Sequence, residues 1–396
     1  MRMSAVAVLI GVGLCGAVAS VTADVVVVAV PAKAGPVDGM KENSDAFIWR
    51  LMTEFAAPAA KHRPSPVIFE TWASDEDTFS KTPHWPSAGE PKKLHASVLG
   101  QMTTPHLAAS TNGAVAQIDV QCKTPGNAAV GGFPTTGTPT PCIAEETKRN
   151  RSQYDYIVDN QLNTQTGLAA AFKKSFKVEM PTTAISVKGD WVPVQTLLQW
   201  IPKIGNPSNL RKLYYTNTSS GVEYALVALH VSSRQNANWV WGSFEHQMTP
   251  GRCDSIGCFD SFGAKIPAVD PNKAVSNSQY GPCPKTDALK SMMVKAGLSP
   301  VWENYCLKSS QVDYNAADGT PYALGNSVIE RIVGNGTVAA SSCIACHVYA
   351  SFGSDGKPTA AATAMLPYNP TGTPLQAPLA GSLQFDFMWG VLLAPP

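Results

Sequence analysis

The chain has 396 residues, 15% of them charged, and a formal net charge of +1. That balance lacks the basic footprint of a nucleic-acid binder, so no nucleic-acid partner is expected. The length suits one large domain or two ordinary ones. Glycine and proline stand at 31 each, which predicts many turns and long loops.

Arg2 and the apolar run Ala5 to Ala19 read as a secretory signal. Val21-Thr22-Ala23 offers small residues for cleavage before Asp24, with Ala17-Val18-Ala19 as a second site. Asp24 and the lack of a basic stop argue against an uncleaved anchor. No later apolar stretch is long enough to span a bilayer, so no stable membrane insertion is expected after cleavage. The mature chain is expected to be periplasmic or secreted.

Ser44 can cap a helix whose apolar positions Phe47, Ile48, Leu51, Met52 and Phe55 recur at helical spacing. The stretch from about Pro83 to Pro141 reads as loop, and Thr147 to Leu162 as a helix. Four strands follow: 184–191, 213–216, 224–231 and 239–246, with Gly221 in a hairpin turn. Thr286 to Ala296 reads as an amphipathic helix. Asn326 can cap Ser327 to Val333, and Thr337 a helix entering 343–347; Leu383 to Leu393 reads as a strand or short helix. Runs of strands between helices predict an α+β fold with a mainly antiparallel sheet and a helical C-terminal part.

Nine cysteines suit an oxidising compartment. Without Cys15, in the signal, and the couple Cys343 and Cys346, six remain. Their sequence-local pairing is 122–142, 253–258 and 283–306, one among several possible. Cys343-Ile344-Ala345-Cys346-His347 is a C-x-x-C-H motif. Two thiols three residues apart can form thioethers to both vinyl groups of one porphyrin, and the adjacent imidazole can then ligate the iron. One covalent haem c is therefore expected, held by Cys343 and Cys346 with His347 as iron ligand. A redox C-x-x-C would want a βαβ context, and zinc would want two further ligands.

The second iron ligand stays open between Met388, which is the first candidate, Met365, His246, His230 and none. Trp191, Trp200, Trp239 and Trp241 can line a pocket or fill a core. Arg149 and Arg151 can reach haem propionates. Asp254, Asp260, Asp270 and Glu245 match no defined calcium loop.

Further segments accompany the motif: Phe69-Glu70-Thr71-Trp72, Asn150-Arg151, Tyr154 to Val158, Ala184 to Lys188, Leu229-His230-Val231, and Trp239 to His246. Together they resemble a family of uncharacterised exported bacterial cytochrome c-like proteins, with one C-x-x-C-H near the C-terminus and a large N-terminal body. The resemblance covers most of the chain beyond residue 45 and brings no established activity. It implies a signal peptide at 1–23, an α+β body at 24–321 and a cytochrome c-like haem part at 322–396 packed on that body. The reading expected first is single-haem electron transfer with a periplasmic redox partner protein. A haem-dependent oxidoreductase with an open distal site is the alternative, and a haem-containing binding or sensor module the third. Catalytic residues are not identified by the sequence.

Overall fold

The computed structural model describes residues 40–60, 66–92, 94–96, 132–133, 143–253, 256–271, 282–330, 341–359 and 371–396. The signal segment, Cys122, Cys142, Asp254, Thr337 and Met365 lie outside the described residues.

The fold is α+β. Its strands in chain order are β1 (Ala73–Ser74), β2 (His95–Ala96), β3 (Ala144–Arg149), β4 (Ile185–Pro193), β5 (Thr216–Ser219), β6 (Val222–Ser233), β7 (Val240–His246), β8 (Cys258–Phe259), β9 (Ala268–Val269), β10 (Tyr305–Gln311), β11 (Ser351–Phe352) and β12 (Leu383–Gln384). One antiparallel sheet runs β1-β3-β4-β6-β7-β10, with β2 added on β3 and β5 on β6. Ser220 and Gly221 both take positive φ in the tight β5–β6 turn, where a hairpin twist favours such residues.

Side chains alternate across the sheet, and both faces are covered. Val187, Leu229, Val231, Phe244 and Leu307 point to one face and pack with Ile48, Trp49 and Met52 of the helix Met40–Phe55 and with Leu289 and Met293 of the helix Asp287–Lys295. The latter is capped by Thr286, whose hydroxyl accepts from Leu289 N. The opposite face carries two separate apolar clusters. One gathers Trp239, Trp241, Leu324, Cys343, Ile344, Phe385 and Met388. The other gathers Val192, Leu197, Trp200, Val227, Ala228 and Ile329.

Several expectations change. Thr147 to Arg149 are strand, and the helix begins later, Arg151–Asp159 behind an Asn150 cap. The charged string Ala-Glu-Glu-Thr-Lys-Arg hides a strand because each charge finds a partner of opposite sign. Lys148 lies 3.2 Å from Glu146, and Arg149 lies 2.6 Å from Asp75. Tyr305–Gln311 was not expected as a strand, and 213–215 precede β5 rather than belonging to it. Among the described residues beyond 340, the helix Cys343–His347 is the one α-helix. Leu383 to Leu393 divides into β12 and a 3-10 turn, Trp389–Leu393. Cys253–Cys258 and Cys283–Cys306 are disulfides.

No helix among the described residues is long and apolar enough to cross a membrane. Gly242 is where the first helix presses on the sheet: a Cβ there would stand 2.4 Å from Ile48 Cγ2. Gly242→Ala is therefore expected to cost about 1–3 kcal/mol through overpacking. Urea unfolding measures it, and an unchanged midpoint would mean that the helix does not seat on β7.

Candidate functional site

The C-x-x-C-H motif forms a single helical turn, Cys343–His347, opened by Ser342, whose hydroxyl accepts from Ala345 N. Gln311 at the end of β10 holds the entry of this turn: its Nε2 donates to Ser342 Oγ at 2.8 Å and its Oε1 accepts from Ile344 N. The spacing puts both sulfurs on one side of the turn. Cys343 and Cys346 are free thiols, whereas the other four described cysteines are paired. Burial pushes the Cys343 thiol well up and that of Cys346 to about 12, with the Glu330 carboxylate adding to both shifts. A redox C-x-x-C would need a depressed thiol instead.

His347 Nδ1 donates to Phe387 O at 2.7 Å. The carbonyl can only accept, so the proton sits on Nδ1 and Nε2 keeps its lone pair, as an imidazole ligand to a metal requires. Burial holds His347 down at about 4, against the opposing effect of the Phe387 carbonyl. The ring packs 4.5 Å, centroid to centroid, from Trp241 of β7.

The carbonyl of Phe387 is delivered by an unusual loop. Asp386 and Phe387 both have positive φ, +43° and +67°. Such a conformation costs a non-glycine residue about 1–2 kcal/mol. Asp386 offsets that cost by accepting from Met180 N at 2.6 Å, Arg234 Nε at 3.0 Å and Trp239 Nε1 at 3.3 Å. Neither the loop nor Asp386 was singled out by sequence reasoning, since an acidic residue between two phenylalanines carries no periodic signal.

Between the two apolar clusters the same sheet face carries a buried polar row. Lys188 of β4 faces His230 of β6, which faces Ser243 of β7, and Asp190 lies two residues along from Lys188. Lys188 pairs with Glu145 at 3.1 Å, and Lys308 with Glu245 at 3.2 Å. Glu245 also accepts from Ser327 N and Oγ. Asn326 bonds Ser243 Oγ and Phe244 O, and its own Oδ1 accepts from Val328 and Ile329 N; 327–329 form a turn, and the rest of the expected helix, 331–333, lies outside the described residues. Glu330, pushed up to about 8 by burial, stands 3.5 Å from His230 Nε2. Among the described residues, that His230 nitrogen and both Asp190 carboxylate oxygens have no hydrogen-bond partner. Burial, with Lys188 and smaller effects from His347 and Lys308, keeps His230 well below its ordinary range and so neutral.

The remaining sequence candidates are placed as follows. Met388 is buried; its Sδ accepts from Gln153 Nε2 at 2.8 Å and lies 3.7 Å from Ser186 Oγ. His246 accepts from Met248 N at Nδ1, meets Leu213 O at Nε2, and stacks 3.5 Å from Tyr214. Trp191 joins the helix-covered face, Trp200 stacks on Phe133, and Trp239 and Trp241 stand beside the motif. Arg149 is buried against Asp75 and Phe79, and Arg151 is exposed on Asp155. Asp260 serves Trp49 Nε1 and the Gly263 N–H. Among the described residues, three metal-competent side chains converge at Asp77, His84 and Glu90.

No family model matches this chain, and neither a curated protein nor a solved structure is similar to it.

Burial pushes His246 down to about 3. Below pH 6.5 the unfolded imidazole takes up a proton that the folded one refuses, so stability falls as pH drops from about 6.5 toward 3, by at most ~1.4 kcal/mol per pH unit for this group. Urea midpoints across that range are expected to show a shallower acid slope in His246→Phe than in the parent; equal slopes would contradict the buried neutral assignment.

Proposed function

We propose that this chain binds one haem c covalently through Cys343 and Cys346, with His347 as an iron ligand, and serves in electron transfer outside the cytoplasm. The observation that carries the reading is the tautomer of His347: Phe387 O takes the Nδ1 proton and leaves Nε2 bare, one helical turn from two unpaired thiols. A disulfide-bonded chain that keeps two thiols free at this spacing, one buried and one half-buried, suits thioether attachment better than a redox pair. The bound group would supply one-electron chemistry between ferric and ferrous iron. Ser342 and Gln311 would fix the turn, Trp241 the plane of the imidazole, and Phe387 its rotation.

The resemblance noted in the sequence supports an exported protein with a periplasmic redox partner. It likewise supports treating 322–396 as the haem part, packed on the body through Gln311, Asn326 and Asp386. A second reading, a haem-dependent oxidoreductase, is favoured by one observation: the buried Asp190 and the half-buried Lys188, His230 and Glu330 form an ionisable row beside the motif, which plain electron transfer does not demand.

Expressed with a haem c attachment system, the protein is expected to give the pyridine haemochrome spectrum of a doubly thioether-linked haem. Cys343→Ser with Cys346→Ser should lose covalent haem on a denaturing gel. Retention of covalent haem in that double variant would overturn the assignment.

A further inference from the structure

Given the haem reading above, on which this rests, the side chain that meets the iron opposite His347 can be sought among the described residues. Three constraints apply. The group must have an unengaged donor atom, it must belong to the surface that the motif turn covers, and it must not lie on the Nδ1 side of His347.

Met388 fails on two counts. Its sulfur is held by Gln153, and its backbone follows directly on Phe387, whose carbonyl lies on the Nδ1 side of the ring, away from Nε2. His246 fails because both its ring nitrogens are engaged, and as a neighbour of Phe244 and Glu245 it alternates onto the other face from Ser243 and Glu245. His84 is tied to Asp77 and Glu90 in an exposed loop.

His230 meets the first two. It lies on the polar face, directly across from Ser243. Ser243 is two residues, about 7 Å, along β7 from Trp241, on which the His347 ring packs. Among the described residues His230 Nε2 makes no hydrogen bond, Glu330 Oε1 standing 3.5 Å away, and an unmade bond costs a buried polar atom about 1–3 kcal/mol. Lys188 and Ser243 flank it on β4 and β7, and Glu330 approaches from the segment just ahead of the motif. Coordination would satisfy the bare nitrogen and would close the sixth position, as an electron carrier needs. We propose that His230 is the second axial ligand, giving the haem a bis-histidine iron shared between the sheet and the C-terminal turn.

The matured protein is first weighed, so that absence of haem, which would defeat the haem reading itself, is separated from a haem with another sixth ligand. Electron paramagnetic resonance and visible spectra of the ferric protein then decide. The parent is expected to be low-spin with bis-imidazole character and slow to bind carbon monoxide when reduced. His230→Ala should turn high-spin and bind carbon monoxide, and added imidazole should restore the low-spin spectrum. Met388→Leu should leave the parent spectrum in place. If His230→Ala does not fold, His230→Met carries the test through the appearance of a histidine–methionine signature. A high-spin parent, or a bis-histidine spectrum that survives either His230 variant, would overturn the proposal.

Discussion

A sheet covered on both faces cannot leave its charged side chains in water, and this constraint shapes the molecule. Each buried ion costs several kcal/mol to desolvate unless a partner meets it. On the helix-covered face the answer is a paired network: Lys92 sits between Glu70 and Glu146, and Lys148 adds a second cation to Glu146. On the other face the compensation is incomplete. Lys188, Lys308 and His230 each have a carboxylate within 3.5 Å, but neither oxygen of Asp190 makes a hydrogen bond among the described residues. Burial accordingly raises Asp190 and lowers His230, so both are driven toward their neutral forms.

The C-terminal residues exploit that surface from the opposite side. Asp386 binds Arg234 and Trp239, both from the stretch joining β6 to β7, and so ties the terminal loop to the sheet. The tie holds two residues in a left-handed conformation and thereby aims one carbonyl at His347. Gln311 does the same from β10 for the first residues of the turn. The motif is therefore oriented by strands that lie far from it in sequence. A C-terminal piece cut from the body would lose Gln311, Arg234 and Trp239 together.

Legibility in the sequence followed the strength of local patterns. The α+β class, strands β4, β6 and β7, the Gly221 turn and the helix behind Thr286 were readable because apolar periodicity and capping chemistry agree there. β3 was not: Thr147 to Arg149 read as the start of a helix, and partners of Glu145, Glu146 and Arg149 lie far off in sequence or across the sheet. β10 was missed because Lys308, Ser309 and Ser310 break the alternation at a bulge. The motif itself was plain, being defined by spacing. What surrounds it was hidden: Phe387 contributes a backbone atom, and His230 is distinguished from His246 by the sheet face it occupies and by which ring nitrogens are already engaged.

The central claim is that Cys343 and Cys346 carry a haem. Intact-mass spectrometry of the protein matured in a host proven to attach haem c tests it most directly. The account predicts a mass above that of the polypeptide by one haem, surviving denaturation and absent when both cysteines are replaced by serine. A polypeptide without added haem, from a host that loads another cytochrome in the same culture, would contradict it.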